Sequence, residues 1–226
     1  MKKVCALIPA YNEANLLGGV LKKIKQFDLE IIVIDDGSTD NTAALAIAEN
    51  VTLVRHPFNL GKGRALMSGI KLLADKDCDY VITLDGDGQH NPEEIPLFIE
   101  AAEKTQADLI IGNRLHNPRT MPANRVFFNR LSSKIISGVC RQNIPDALCG
   151  YRAIKKSLLD SLRLSAPRFD IDPQIVIQAA KSGAIISSIN IECIYASEKS
   201  HINPLPDAYQ FCRIVIKEGL KNPGKR

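Results

Sequence analysis

The chain has 226 residues, 45% of them hydrophobic and 24% charged, which suits one sizeable α/β domain and argues against a disordered or fibrous chain. Its net charge of +4 fits a phosphate-bearing substrate or an anionic lipid surface; with no Trp and no basic run interleaved with aromatics, a nucleic-acid partner is not expected. Six cysteines, none in Cys-x-x-Cys spacing, argue against a zinc or thioredoxin-type site and read as small buried residues of a reducing cytosol.

The first half alternates short β-branched runs with longer helical patterns. Val4 to Ile8 is predicted as a buried strand stopped by Pro9. Leu16, Leu17, Val20, Leu21 and Ile24 share one face of a helix over 13–25. A second strand spans Glu30 to Ile34, and Asp40 caps a helix reaching Glu49. Strands at 51–55, 80–84 and 109–111 alternate with helices at 63–74 and 92–104, the latter with Pro92 in its first turn. The second half is less regular: helices at 124–141, 172–181 and 204–220, and a strand at 185–194. Asp172 reads as the N-cap of its helix. Such alternation predicts an α/β fold, a mainly parallel central sheet with helices on both faces, as a single domain.

No stretch reaches the ~18 apolar residues of a membrane span, and the N-terminal apolar run is too short for a signal peptide. A cytoplasmic location follows as an expectation, with any membrane contact peripheral. The last helix carries Phe211, Ile214, Val215 and Leu220 before Lys221, Lys225 and Arg226, a pattern that suits either anionic lipid or an ordinary core-docked helix.

Ligands of wound sheets bind beyond the carboxyl ends of the strands. The turn with most chemistry there is Asp85-Gly86-Asp87-Gly88-Gln89-His90. Two carboxylates one residue apart, with glycines beside them, can offer hard oxygen ligands to Mg²⁺ or Mn²⁺. An EF-hand loop is ruled out by His90 at the sixth position and Pro96 at the twelfth; a plain Asp/Gly turn remains the alternative. Asp35-Asp36-Gly37-Ser38 and Pro9-Ala10-Tyr11-Asn12-Glu13 follow two other strands. There Asp36 or Glu13 can accept from a nucleotide and Tyr11 can stack on a base, or the same residues can simply cap and charge the next helix. Three acidic turns on one sheet edge favour a site. Neither a G-x-G-x-x-G nor a P-loop is present. Gly61-Lys62-Gly63-Arg64 faces a diphosphate or only begins a helix.

In order, Pro9-Ala10-Tyr11-Asn12-Glu13, Asp35-Asp36-Gly37-Ser38, Asn59-Leu60-Gly61-Lys62-Gly63 and Asp85-Gly86-Asp87-Gly88-Gln89-His90 resemble the family 2 glycosyltransferases. Within them the chain is similar to the polyprenyl-phosphate sugar synthases, such as those making dolichyl-phosphate mannose and glucose. The resemblance implies a GT-A fold and inverting transfer, with 1–114 as the nucleotide-sugar half and 115–226 as the acceptor half. It implies that Pro9, Tyr11, Glu13, Asp36, Asp85, Gly86, Asp87 and Arg114 hold the donor, with Asp87 and Gln89 as ligands of Mg²⁺ or Mn²⁺. Asp85, Asp87 and Arg114 would carry the chemistry, with Arg114 in a Gly-x-Arg. Arg125, Asn129, Arg152 and Ser200 would meet the acceptor, and Asp146-Ala147-Leu148-Cys149-Gly150-Tyr151-Arg152 matches a D-x-x-S-G-F-R with Cys149 for Ser.

Two departures stand out. The C-terminal membrane spans of many such enzymes are missing, and so is the Glu-Asp pair that supplies a base to hydroxyl acceptors. A phosphate monoester is already ionised at neutral pH and needs no base, so the expected partners are a nucleotide diphosphate-sugar and a polyprenyl phosphate at the cytoplasmic membrane face. Transfer to a hydroxyl, with Asp146 or Asp172 as base, or an inactive nucleotide-sugar-binding module are the alternatives.

Overall fold

A computed structural model describes residues 2–194 and 204–220. Seven strands form one sheet: β1 (Val4–Ala10), β2 (Glu30–Asp35), β3 (Thr52–Arg55), β4 (Tyr80–Thr83), β5 (Leu109–Asn113), β6 (Arg152–Lys155) and β7 (Ile186–Asn190), in the order β3-β2-β1-β4-β6-β5-β7. All neighbours are parallel except β6, which runs antiparallel to both β4 and β5. The helices are α1 (Leu17–Ile24), α2 (Thr42–Ala48), α3 (Lys62–Leu72), α4 (Ile95–Thr105), α5 (Ala123–Cys140), α6 (Lys156–Ser161), α7 (Ile171–Lys181) and α8 (Pro204–Leu220).

Successive strand residues point to opposite faces, and both faces of β1 are covered. Leu7 meets α3 at Gly69, whereas Ile8 and Ala10 lie with Leu17 of α1 around Gly86. A strand buried on both sides reads as the unbroken apolar run of 4–8, and every residue of β1 is buried. One core cluster runs from Val4 to Val215 and so spans both halves of the chain.

Pro9 does not stop β1 as expected; it lies inside the strand, opposite Ile34 of β2. The Leu7 carbonyl accepts from Leu84 on the β4 side, and the Ala10 carbonyl accepts from Asp36 on the β2 side. Pro9, two residues after Leu7, therefore turns its missing N–H towards β4 beyond the last paired residue there, and no ladder bond is lost. Other corrections are local. The helix expected from 13 begins at Leu17, and the strand expected to reach 194 ends at Asn190. Asp172 is not the cap of α7: Asp170 holds that position and Asp172 stands in the first turn, next to Pro173. Asp40 stands one residue before the N-cap of α2, which is Asn41, and accepts from the Thr42 N–H at 2.9 Å. Strand β6 and helix α6 were not foreseen in the sequence. The last helix is docked: Ile214 and Val215 are buried, and Gln174 of α7 donates to Glu218 at 2.8 Å.

Candidate active site

The turns after β1 and β2 are sewn into one wall. Asn12 donates its N–H to Ser38 Oγ at 2.9 Å and accepts from the Thr39 N–H at 2.8 Å. The Glu13 N–H donates to Thr42 Oγ1 at 2.8 Å. Asn12 takes φ 57°, a left-handed conformation that Asn tolerates, and this redirects the chain from strand to wall. Tyr11 and Glu13 are half-buried at the lip, whereas Pro9 is buried within β1.

Asp36 was expected on the nucleotide, but its carboxylate is built into the protein. It accepts from the Leu60 N–H at 3.0 Å and the Gly61 N–H at 2.7 Å, and meets His56 Nδ1 at 2.7 Å. Only 3% of the residue is exposed. Asp36 thus fixes the loop from which α3 departs. Gly37 is forced by the same packing: at φ 74° a Cβ would lie 2.3 Å from the Phe58 carbonyl carbon.

Helix α3 begins at Lys62, and its ammonium enters the site. Lys62 Nζ lies 2.8 Å from Asp85 Oδ1 and 3.3 Å from Asp172 Oδ2. Burial alone would lower the Lys62 pKa, but the two carboxylates outweigh it and keep the group charged. For Asp85 burial pushes up and the Lys62 ammonium more than compensates, so the carboxyl sits below its ordinary range. Its own N–H donates to His90 Nδ1 at 3.1 Å. Burial drives the His90 pKa down to about 4, so the ring is a neutral acceptor packed 5.1 Å from the Tyr151 ring. Asp87 folds back to accept from the Gln89 N–H at 3.0 Å, placing the two candidate metal ligands on one tight turn. Gly86 is buried beneath them.

Arg114 leaves β5 beside this loop. Its Nε and Nη2 donate to Asp146 at 2.8 and 3.0 Å, a forked pair with the carboxylate fully buried. Burial would lower the Arg114 pKa, and Asp146 more than reverses that. Arg125 stands in the first turn of α5 beside Val126, which packs on Leu115, Met121 and Cys193; burial pushes the Cys193 thiol pKa up to about 11. Asn129 lies one turn further along α5, donating to Met121 Sδ at 3.6 Å.

Arg152, expected at the acceptor phosphate, is spent elsewhere. It is 1% exposed and donates to the Cys149, Asp172 and Ala147 carbonyls at 2.7, 2.9 and 2.9 Å. It braces the turn 147–152 and has no face towards a ligand. Cys149, in the place of Ser, is buried, with its pKa pushed by burial to about 12. Ser200, with His201 and Ile202, lies outside the described residues, as do Lys221, Lys225 and Arg226.

Among the described residues no three His, Cys, Asp or Glu side chains converge on a point. Asp87 and Gln89 offer one carboxylate and one amide oxygen on the same turn, hard donors of the kind that suit Mg²⁺ or Mn²⁺ when substrate phosphates complete the shell. Sequence reasoning missed two members of the site. Lys62 sat in a Gly-Lys-Gly-Arg read as facing a diphosphate or only beginning a helix, with no part assigned to it at the Asp85 carboxylate. Asp146 lay in a quoted motif, but its pairing with Arg114 depends on a contact 32 residues away.

The Glycosyl transferase family 2 profile matches residues 5–163. An uncharacterised protein of Methanocaldococcus jannaschii is 32% identical over 223 residues, covering 94% of this chain and 97% of the relative. The UDP-N-acetylglucosamine–dolichyl-phosphate N-acetylglucosaminyltransferase of Methanococcus voltae is 29% identical over 217 residues, 86% of each chain. Among solved structures, glucosyl-3-phosphoglycerate synthase of Mycobacterium tuberculosis with Mn²⁺ and UDP-glucose aligns at TM-score 0.74 and 22% identity, covering 96% of this chain and 77% of that one. That likeness establishes the shared GT-A fold. From the profile match and the archaeal relatives together, the chain belongs to glycosyl transferase family 2.

Proposed function

We propose that the chain is an inverting glycosyltransferase that moves a sugar from a nucleotide diphosphate-sugar onto a polyprenyl phosphate, with Mg²⁺ or Mn²⁺ as cofactor. Residues 1–114 form the donor half and 115–226 the acceptor half.

The observation that carries the acceptor is the character of α5. Its 18 residues hold no acidic side chain, and Phe127, Phe128, Leu131 and Ile135 are all exposed. Arg130 and Lys134 share one side of the helix with Ala123, Val126, Phe127 and Leu131, an apolar stripe with two cations along it. The same helix carries Arg125 next to Val126, which packs on Leu115, the residue after Arg114. A ligand suited to this join has an anionic head at the site and an apolar tail along the helix. It also suits peripheral contact of α5 with an anionic membrane face. The six cysteines are free thiols, in keeping with the cytoplasmic side. The Methanococcus voltae relative, named for transfer to dolichyl phosphate, supports the same acceptor class.

In this mechanism Asp87 and Gln89 would hold the cation, which supplies charge neutralisation to the leaving nucleoside diphosphate. Tyr11 and Glu13 line the wall for the nucleoside. Arg114, fixed by Asp146, adds positive charge through Nη1, and Lys62 offsets the charge of Asp85 so that an anionic donor can approach. Arg125 and Asn129 receive the acceptor phosphate, which attacks the anomeric carbon already ionised. Asp146 and Asp172, the two candidate bases for a hydroxyl acceptor, are both occupied by cations, which favours the phosphate.

The test is product analysis. Purified protein is incubated with a panel of nucleotide-sugars, Mn²⁺ and a short-chain polyprenyl phosphate or a hydroxyl acceptor. A lipid-linked sugar of inverted anomeric configuration is the expected product; transfer only to the hydroxyl, or free sugar alone, would reject the acceptor assignment.

A further inference from the structure

We infer that Asp172 is a positioning residue for donor binding, acting through Lys62 on Asp85, and is not a proton acceptor in the transfer. The inference rests on the reading of the site as a nucleotide-sugar site and names a residue of the acceptor half that completes it.

Asp172 stands in the first turn of α7, with its side chain 7% exposed. Its two oxygens face two different cations: Oδ2 lies 3.3 Å from Lys62 Nζ and Oδ1 lies 3.6 Å from Arg152 Nη1. Arg152 is itself immobilised by three carbonyls, one of them that of Asp172. The charges therefore run Asp85, Lys62, Asp172, Arg152, alternately negative and positive, from the donor loop to a rigid anchor. Lys62 is a long, flexible side chain with several conformers to lose, and a single carboxylate partner leaves most of them open. A second carboxylate, held in place by Arg152, selects one. Gly150 closes the arrangement from the third side: a Cβ there would lie 2.6 Å from Lys62 Nζ and 3.1 Å from Asp85 Oδ2.

The consequence concerns charge. A diphosphate approaching Asp87 also approaches Asp85, and two carboxylates would repel it. The cation offsets one of them and Lys62 the other, but only if the ammonium stays on the Asp85 carboxylate. Asp172 keeps it within reach without competing at closer range, being 3.3 Å away where Asp85 is 2.8 Å. A base would need an oxygen open to the acceptor, and both oxygens of Asp172 are turned to fixed cations.

The experiment is a set of calorimetric titrations of a nucleotide diphosphate-sugar with Mn²⁺, on wild type, K62M, D172N, the double variant, K62R and G150A, each first checked for an unchanged thermal midpoint. K62M should weaken donor binding about tenfold or more and D172N about threefold to tenfold, with the double variant no weaker than K62M alone, since coupled residues are not additive. K62R should recover part of the affinity. G150A, which displaces the ammonium and leaves Asp172 intact, should resemble D172N. The pH profile of transfer by D172N should keep both limbs of the wild-type profile. Additive effects of K62M and D172N would overturn the inference. So would a D172N enzyme with wild-type donor affinity whose turnover falls by about a thousandfold with loss of the acidic limb, the behaviour of a removed base. Wild-type protein that takes up no nucleotide-sugar would remove the functional reading itself, a result distinct from either of these.

Discussion

Single residues separate the two kinds of carboxylate in the site. Asp36 and Asp146 are consumed by the protein's own donors, whereas Asp87, which accepts from the Gln89 N–H on a tight turn, is the carboxylate proposed for the cation. Asp87→Ala should lower transfer by at least ~100-fold in a steady-state assay while costing the fold no more than about 1–2 kcal/mol for the lost Gln89 N–H bond, because the larger interaction it removes is realised with the diphosphate. His90 gives a prediction of the opposite kind. Its folded pKa of about 4 lies below the ordinary value of 6.5, so the unfolded chain takes up the proton first. The stability contributed by the neutral ring is complete well above pH ~6.5 and is lost as pH falls towards 4, with about 2.5 kcal/mol gone by pH 4.5. Urea unfolding at pH 7 and 4.5 should show that loss in wild type and show it reduced by a comparable amount in His90→Gln. These residue roles were only partly legible in sequence. The Asp-Gly-Asp-Gly-Gln order reads as a ligand turn or as a plain Asp/Gly turn, and whether an aspartate at a strand end faces a ligand or a neighbouring loop depends on contacts such as Asp36 with Gly61, which no local pattern reveals.

Among the elements, the parallel part of the sheet was legible because β1, β2, β4 and β5 are continuous apolar runs followed by turn residues. Strand β6 was not, because its four residues are bounded by Arg152 and Lys155 and the buried Arg breaks the apolar signal. That Arg is tolerated only because three carbonyls satisfy it, a tertiary fact. The approach of α3 to the segment before α7 is tight: at Gly63 a Cβ would lie 2.0 Å from the Ala166 carbonyl oxygen and 2.8 Å from the Pro167 carbonyl carbon. Gly63→Ala must shift backbone, and a cost of ~1–3 kcal/mol is expected from its denaturation midpoint. On α5 the reverse holds. Phe127 and Phe128 are 62% and 60% exposed, so replacing both by Ser should change stability by no more than ~1 kcal/mol. If the helix lies on lipid, that double variant should lose most of its co-sedimentation with anionic vesicles; undiminished co-sedimentation would move the membrane contact away from α5.

The molecule as a whole joins its two halves through the sheet and through the site. Strands β6 and β7, from the second half, pair with β4 and β5 of the first, and Asp146 and Asp172 reach back to Arg114 and Lys62. A fragment of residues 1–114 would leave β5 without either neighbour and β4 paired on one side only, with β1, and would lack Asp146, so it is expected to show no cooperative thermal transition by calorimetry. The sequence motifs point to the donor half by family resemblance, yet this interdependence escaped them because it is carried by pairs far apart in the chain. The most direct measurement of the central claim is electron paramagnetic resonance of Mn²⁺ titrated into the protein with and without a nucleoside diphosphate. Tight Mn²⁺ uptake that requires the diphosphate and disappears in Asp87→Ala is the predicted result; equal uptake by wild type and Asp87→Ala, with the diphosphate present, would contradict the account.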